Sequence, residues 1–465
     1  MNIMIPEGFA PERQYILSVI LGEFLGVEYQ IIQRAECLDE LVWVLEIPDQ
    51  EGRIVLPDAF FSLEHEKWFT LSSLPVQPLK QWRVQSDLPD ANVLEPNIPV
   101  IYGQDPQQPG FFRFSKEEIR LGLDVFGSAF FMLTRYEEMV KQDRDEHDRF
   151  PTKASLSYQE GFVERPIVNE YVEILWACLK KLWPELMREK RNYRLCLSHD
   201  VDETVTVVGK PLKQVVRRIG GDIVVRGDPV LALRSIRAAW KGVAQNDPCN
   251  TFDFIMDISG KQGIKSTFNF MTDLGHTKYD QRYSIDHPWV RLCLQRIVQR
   301  GHLIGFHPTY GSYLDAERTK TEFLQLKKVA KEEGAKQDEW GGRQHYLRWQ
   351  NPETWQHWDE AGIDYDSTVG FSDLGGFRTG CCYEYPVFNL KERKQLNLRE
   401  RSLIVIESAV LGGKKKFNDE LSEKISSVNH TCKRFAGDFT LLWHNVNLIS
   451  RQQRKIYAST LDSLR

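Results

Sequence analysis

From residue 193 onward the chain alternates short apolar runs with segments whose apolar residues recur at helical spacing. The apolar runs lack strict one-in-two alternation, which indicates strands buried on both faces. The predicted strands are 194–198, 265–271, 302–306, a weaker one at 344–349, 363–367, 402–407 and 439–443. Repeated strand and helix units predict a parallel α/β sheet or barrel, with its site at the carboxyl ends of the strands.

The first 190 residues follow a different pattern. Short apolar runs at 41–47, 53–56 and 68–74 alternate with proline-rich connectors, and apolar spacing predicts covering helices over 122–140 and 168–182. We therefore predict a mixed α/β accessory domain over 1–190, a second domain over 191–450 and a C-terminal tail over 451–465. Asn351 followed by Pro352 is a typical helix start and predicts a helix over 353–360.

Residues 203–247 form a basic insertion after the first strand of the second domain. We expect no helix in this stretch, which holds eight Lys or Arg against four Asp or Glu. An insertion at a strand's carboxyl end would overhang the site, and its charge would suit an anionic polymer or a phosphate-bearing lipid carrier. A solvated surface excursion is the alternative.

Charge, hydropathy and cysteine content argue for some partners and locations of the protein and against others. The chain has 465 residues and a formal charge of -5, which argues against nucleic acid as a partner. No segment approaches the roughly 18 apolar residues of a membrane helix, so we expect no transmembrane segment. Eight scattered cysteines without a CxxC motif favour a reducing, cytoplasmic location. The sequence does not indicate an oligomeric state.

Two carboxylates end the first predicted strand of the second domain. Alternation along a strand places Asp200 and Asp202 on one face and His199 on the other, where a packing role is expected. Paired carboxylates at a buried strand end repel each other unless one is protonated, bound to metal or matched by a cation. A metal ligand beside a general base satisfies this condition, and so does a helix-capping or arginine-paired role.

Histidine and arginine residues near the later predicted strands are further candidates for the site. His307 ends the third strand, where an imidazole is either a zinc ligand or a hydrogen-bonded core residue. Arg343, or else Arg348, could clamp a carboxylate and hold it as a base. His345 could bind a metal, shuttle protons or pack.

His444 directly follows the last predicted strand, where it could either donate a proton to a leaving group or pack. Asp364 and Asp366 share a strand face and could secure an arginine. Polar or aromatic residues near these strand ends are predicted to bind substrate: Tyr310, Trp349, Asp366 and Arg378.

These residues, in this order over about 193–449, resemble the polysaccharide deacetylase family (carbohydrate esterase family 4), which implies a distorted (β/α) barrel. The motif SHDVD is similar to the family's first motif, which implies that Asp200 is the base and Asp202 a metal ligand. His307 follows a Gly-His-x-Ile-Gly run and matches the first metal histidine. The resemblance also implies that Arg343, or less well Arg348, holds the base, and that His444 in LLWHN is the general acid.

The chain departs from that family at one ligand position. The second metal histidine is expected four residues after the first, and Gly311 stands there. His345, Ser312 or water could replace it, or the metal could be lost. The first 190 residues resemble an accessory region found ahead of such domains in bacterial proteins linked to surface polysaccharides.

The resemblance implies a hydrolase that uses a divalent metal, with zinc expected, to remove N-acetyl groups from a glycan or lipid-linked oligosaccharide. Acetate and a free amino sugar would be the products. Two alternatives stay open. One is a catalytically inactive carbohydrate-binding or assembly protein that retains the fold, and the other is hydrolysis of a different amide or imide C–N bond.

Overall fold

The computed structural model describes residues 1–33, 42–224, 226–272, 275, 277–280, 283–410 and 419–464. The strands are β1 (Asn2–Ile5), β2 (Gln30–Gln33), β3 (Val42–Glu46), β4 (Arg53–Pro57), β5 (Lys80–Arg83), β6 (Asn97–Val100), β7 (Phe112–Phe114), β8 (Glu118–Leu121), β9 (Arg194–Asp200), β10 (Thr267–Phe270), β11 (Leu303–Phe306), β12 (Gly341–Gly342), β13 (Tyr365–Asp366), β14 (Tyr385–Asn389), β15 (Lys394–Glu400), β16 (Val405–Ile406) and β17 (Asp438–Leu442). The α-helices are α1 (Ala10–Leu17), α2 (Val84–Asp87), α3 (Val125–Leu133), α4 (Tyr136–Val140), α5 (Leu156–Gln159), α6 (Ile167–Leu182), α7 (Leu212–Val224), α8 (Pro229–Lys241), α9 (Phe252–Lys261), α10 (Pro288–Gln299), α11 (Ala316–Glu332), α12 (Glu353–Glu360), α13 (Glu407–Val410), α14 (Asp419–Arg434) and α15 (Arg451–Ser463).

The chain divides into two compact units. The first comprises Met1–Tyr193, Phe377–Ser402 and Phe435–Gly437, and the second comprises Arg194–Gly376, Leu403–Arg434 and Asp438–Arg465. The first unit therefore takes in the stretch over which we predicted an accessory domain, together with two later segments. The predicted tail forms the helix α15, whose start is capped reciprocally by Ser450 and Gln453. Tyr457 and Leu461 of this helix are buried.

The first unit is a mixed α/β structure. Its main sheet has the order β2-β1-β3-β4-β8-β7, with both parallel and antiparallel neighbours, and β5 pairs with β6 in a separate antiparallel ladder. The predicted helix over 168–182 is confirmed as α6, but the one over 122–140 is divided into α3 and α4. Arg135 adopts φ 52 at this break, and its buried guanidinium pairs with Glu137 and Glu138.

The second unit contains the parallel sheet. Its strands have the order β13-β12-β11-β10-β9-β17-β16, and every neighbouring pair is parallel. The predicted α/β class, with a mixed α/β region ahead of a parallel sheet, is confirmed. The helix predicted over 353–360 is confirmed as α12. Parallel strands place all their carboxyl ends at one edge of the sheet.

Two predictions for this unit are wrong. The weak strand at 344–349 is absent, because the chain leaves β12 after Gly342 and turns through a short 3-10 segment, His345–Leu347. The basic insertion is not free of helix, since it forms α7 and α8. Asp228 caps α8 by accepting a hydrogen bond from the Leu231 N–H, and Pro229 occupies the first turn.

Candidate active site and metal centre

Polar side chains from several strands meet at the carboxyl edge of the parallel sheet. Asp200 is the last residue of β9, and His307 directly follows β11. Arg343 directly follows β12, and His444 lies two residues beyond β17. The sheet topology therefore brings together residues that are far apart in sequence, all within the second unit.

Asp202, His307 and His345 form a group that could hold a metal ion. One ligand atom from each lies within 4.8 Å of those of the other two. The Asp202 Oδ1 and His307 Nε2 atoms are 3.7 Å apart, too far for a hydrogen bond. Both atoms and His345 Nδ1 are buried without a hydrogen-bond partner. Because unsatisfied buried polar atoms are costly, these residues fit a bound divalent cation.

The hydrogen bonding of His307 prepares one ring nitrogen for a metal. Its Nδ1 lies 2.7 Å from the Arg343 carbonyl oxygen, which can only accept, so Nδ1 carries the proton. In the neutral imidazole, the lone pair is therefore on Nε2, the atom beside Asp202. Metal-binding histidines are commonly oriented in this way.

His345 reaches the group because of the turn after β12. A Cβ on Gly342 would lie 1.8 Å from the Phe306 carbonyl oxygen, so this close approach requires glycine. Tyr346 and Leu347 then adopt φ 61 and φ 57, a left-handed conformation that is unfavourable for such residues. This turn is the local backbone feature that carries His345 to Asp202 and His307.

The structure separates the alternatives for the third ligand. The Ser312 hydroxyl donates to the Thr309 carbonyl at 2.8 Å and is not part of the group, whereas His345 is. Burial, followed by the charge of His307, lowers the pKa of His345 to about 3. His345 is therefore neutral at physiological pH, which is the form that binds metals.

Asp200 is buried and held on one oxygen by two donors. Its Oδ1 accepts hydrogen bonds from Asn269 Nδ2 at 2.7 Å and from Arg343 Nη1 at 3.0 Å. Burial alone would raise the pKa of Asp200, but the charges of Arg343, His307 and His444, with the Asn269 hydrogen bond, lower it well below its usual range. Asp200 is thus an ionised carboxylate beside the candidate metal ligands.

Arg343 is fixed by residues of β9 and of the segment that directly follows β13. Its Nη1 also donates to Ser198 Oγ at 3.0 Å, while Nε and Nη2 donate to the carbonyl and hydroxyl of Ser367 at 2.8 and 2.9 Å. Arg348, the alternative from the sequence, instead donates to the Tyr310 carbonyl at 2.6 Å. Of the two, the structure therefore places Arg343 against the candidate base.

His444 is paired with a buried carboxylate. Its Nδ1 lies 2.8 Å from Glu407 Oε1, and its backbone N–H donates to the same oxygen. Nε2 lies 4.0 Å from Asp202 Oδ2 on the other side of the ring. Burial lowers the pKa of His444, but Glu407, Asp202 and Asp200 together raise it to about 10. His444 is therefore protonated at neutral pH and can serve as an acid.

Two residues of this site were missed by the sequence analysis. Asn269 lies on β10 opposite Asp200 in the strand register, and Glu407 directly follows β16. Both occupy the carboxyl edge, so inspection of every polar residue at every strand end would have found them. His199, by contrast, lies as expected: it is buried, and its Nδ1 is 2.7 Å from the Trp443 carbonyl oxygen.

The predicted substrate-binding residues have different surroundings. Tyr310 is half-buried and stacks on Tyr279, with ring centroids 4.6 Å apart, beside the exposed Tyr346. These tyrosines and His345 are neighbours, since the His345 and Tyr346 rings are 4.7 Å apart. Tyr310 is therefore still a candidate for substrate contact.

The other three are buried and engaged elsewhere. The Trp349 ring packs edge-on against Trp355, and Asp366 accepts hydrogen bonds from the backbone and hydroxyl of Thr368. Arg378 belongs to the first unit, where it forms a buried double hydrogen bond with Glu138. A substrate could not reach these side chains without displacing those partners.

A polar cavity of about 270 Å³ adjoins the site. Glu203 and Lys210 from the basic insertion line it, as do Tyr279 and Asp280. Asp280 lies 3.9 Å from the Nδ1 atom of His345, and Glu203 directly follows Asp202 in the chain. The start of the insertion therefore forms part of the immediate surroundings of the candidate metal centre.

Comparison with protein-family models gives one match, in the first part of the chain. Residues 1–184 match the sequence model of a family described as "Family of unknown function (DUF7033)". A comparison with curated proteins gave no match.

Several solved structures are similar to this chain at low identity. A protein of Mycobacterium smegmatis assigned to the polysaccharide deacetylases has 12% identity and a TM-score of 0.38, covering 59% of this chain and 84% of its own. Puue allantoinase has 12% identity and a TM-score of 0.36, with coverages of 60% and 85%. A CE4 family pseudoenzyme from Bacillus anthracis has 10% identity and a TM-score of 0.31, with coverages of 59% and 60%. These scores are too low to assign chemistry to this chain, which has to be inferred from the site itself.

Proposed function

We propose that this protein is a metal-dependent hydrolase that removes N-acetyl groups from an amino-sugar-containing glycan or glycan precursor in bacterial surface polysaccharide metabolism. The observation that carries the proposal is the group formed by Asp202, His307 and His345, whose buried polar atoms lack hydrogen-bond partners. A carboxylate held by Arg343 and a protonated histidine held by Glu407 flank this group. Metal-assisted amide hydrolysis needs these three functions together.

In this proposal, one residue of the chain accepts a proton and another donates one. Asp200 accepts the proton of the attacking water, and Arg343 with Asn269 holds its carboxylate ionised and oriented. His444 donates a proton to the departing amine, and Glu407 fixes its tautomer and orientation. A divalent cation held by Asp202, His307 and His345, with zinc expected, would polarise the acyl carbonyl and lower the pKa of its water towards about 7.

Elemental analysis of the purified protein tests the metal centre. We expect about one equivalent of metal in the wild type after incubation with zinc, and a large loss in Asp202→Ala, His307→Ala and His345→Ala. His430→Ala is the matched control, because His430 is exposed on α14. Retention of full metal content by His345→Ala would contradict the assigned ligand set.

Acetate release from acetylated amino-sugar oligosaccharides tests the reaction. We expect Asp200→Asn to retain metal and to lose about 10²- to 10⁴-fold in rate, the usual contribution of a general base. A panel that includes other linear and cyclic amides would separate N-deacetylation from hydrolysis of a different C–N bond. Unchanged acetate release by Asp200→Asn would exclude the proposed role of this residue.

Gly311 supports a second candidate function, a carbohydrate-binding protein without catalysis, because a glycine stands where the resembling family has its second metal histidine. That candidate predicts a protein that binds glycan but takes up no zinc, cobalt or nickel. The same elemental analysis therefore distinguishes the two functions.

A further inference from the structure

The two helices of the basic insertion expose apolar side chains to solvent. On α7, Leu212, Val216 and Ile223 are 77%, 60% and 52% exposed, and Val224, 83% exposed at the end of the helix, lies outside this set. On α8, Leu233, Ile236 and Trp240 are 46%, 47% and 86% exposed, and Val230, 44% exposed in the first turn, lies outside this set. The spacings i, i+4, i+11 and i, i+3, i+7 place each set in one stripe along its helix. Surface helices normally bury such a stripe against the core.

These stripes are additional to the faces by which the helices already pack. Val215 of α7 and Ala238 of α8 share a small buried cluster, and the buried Asp222 accepts a hydrogen bond from the Ser235 hydroxyl. Each helix thus has a packed face and an exposed stripe. When either helix is viewed from its N-terminus, the stripe lies clockwise of the packed face. A short connection makes α7 and α8 antiparallel, so both stripes lie on the same side of the pair.

Positive charge accompanies the apolar surface. Residues 210–241 carry eight Lys or Arg, and only Asp222 and Asp228 oppose them. Asp222 is buried beside Arg218 and Arg226, and Asp228 caps α8, so neither presents a free carboxylate at the surface. On α8, Arg237 and Lys241 lie next to the stripe that ends at Trp240.

We propose that α7 and α8, here called the insertion hairpin, bind the surface of an anionic lipid bilayer by placing both apolar stripes among the lipid headgroups. Helices with exposed Trp and Leu on one face and Lys or Arg around it bind membranes in this way. Among the described residues, no helix is long and apolar enough to cross a bilayer. Self-association through the same face would bring two positively charged surfaces together, whereas an anionic bilayer neutralises them.

The insertion hairpin is continuous with the candidate site. Lys210, just before α7, and Gln214 of α7 line the polar cavity, as do Tyr279 and Asp280. A bilayer held at the hairpin would therefore present headgroup-linked sugars near the candidate metal centre. This consequence rests on the proposed function, but bilayer binding itself does not.

Co-sedimentation of the full-length protein with vesicles tests the inference without any measurement of activity. One set of vesicles contains phosphatidylcholine alone, and the other contains phosphatidylcholine with about 30% phosphatidylglycerol. We expect binding to the anionic vesicles, weakening with added salt, and little binding to the neutral ones. Leu233→Ser with Trp240→Ser, and separately Arg237→Glu with Lys241→Glu, should each weaken binding by about tenfold or more.

Matched substitutions on α11 serve as controls, since Leu324 and Lys320 are exposed residues of another amphipathic helix in the same unit. Leu324→Ser and Lys320→Glu should leave vesicle binding unchanged. The substituted side chains of the hairpin are exposed, so circular dichroism and melting curves should match the wild type. Equal binding to both kinds of vesicle, or binding that is insensitive to the hairpin variants, would overturn the proposal. So would a dimer in analytical ultracentrifugation that the Leu233 and Trp240 variant abolishes, because it would assign the face to self-association.

Discussion

At the scale of single residues, the chemistry of the site depends on which polar atoms have partners. His444 is cationic because Glu407 lies 2.8 Å from its Nδ1, and burial alone would have the opposite effect on its pKa. Asp200 is anionic because Arg343 and Asn269 bind one of its oxygens. Each proposed proton donor or acceptor therefore has a second residue that sets its charge.

Glu407→Gln tests this dependence. Removal of the Glu407 charge should lower the pKa of His444, so the protonated acid is lost at a lower pH and the alkaline limb of the pH profile moves to lower pH. We expect kcat to fall by about 10- to 100-fold at neutral pH, with metal content unchanged. The pH dependence of kcat/KM provides the measurement. An alkaline limb at the same pH as in the wild type would show that Glu407 does not set the charge of His444.

The sequence could predict Asp200, Asp202, His307 and His444 as site candidates because each stands at or just beyond the end of a predicted strand, whereas Arg343 was a candidate because an arginine can clamp a carboxylate. It left His345 open among three roles, since the proximity of His345 to His307 depends on how the turn after β12 folds against β11. Asn269 and Glu407 were missed because only the strand register and the sheet order bring them to Asp200 and His444.

At the scale of elements, the parallel sheet was predictable and the insertion hairpin was not. The strands are buried on both faces, so continuous apolar runs identify them. Helix α7 contains the adjacent glycines Gly220 and Gly221. The exposed stripes of both hairpin helices do not contribute to a core. Sequence patterns report which residues are apolar, whereas only the structure reports which of them remain in solvent.

Close packing between neighbouring strands gives a prediction for β11. A Cβ on Gly305 would lie 1.9 Å from Asn269 Oδ1, so Gly305→Ala should displace the side chain that holds Asp200. We expect a loss of about 1–3 kcal/mol in unfolding free energy and a fall in activity, with metal content largely retained. Urea unfolding and acetate release are the measurements. Gly260→Ala is the control, because no atom lies within 4 Å of its added Cβ, and an unchanged Gly305→Ala variant would contradict the packing argument.

At the scale of the whole molecule, the chain combines a unit of mixed α/β structure with a unit whose sheet edge carries the candidate chemistry. Stability in the second unit has a component that depends on pH. His199 is a buried residue of β9, with its Nδ1 2.7 Å from the Trp443 carbonyl oxygen and its ring beside Tyr457. Burial, acting against the Trp443 hydrogen bond, lowers the pKa of His199 to about 4.

This shift predicts acid destabilisation with a definite sign and range. The unfolded chain takes up a proton at His199 near pH 6.5, whereas the folded protein resists protonation until about pH 4, so folding stability falls as the pH decreases between these values. The full effect is about 3 kcal/mol, and His199→Gln should remove it while lowering stability at pH 7 through the loss of packing. Urea unfolding of both proteins at pH 7 and pH 4.5, with His430→Gln as the exposed control, provides the measurement. If the difference in stability between wild type and His199→Gln were the same at both pH values, His199 would not be held neutral by its burial.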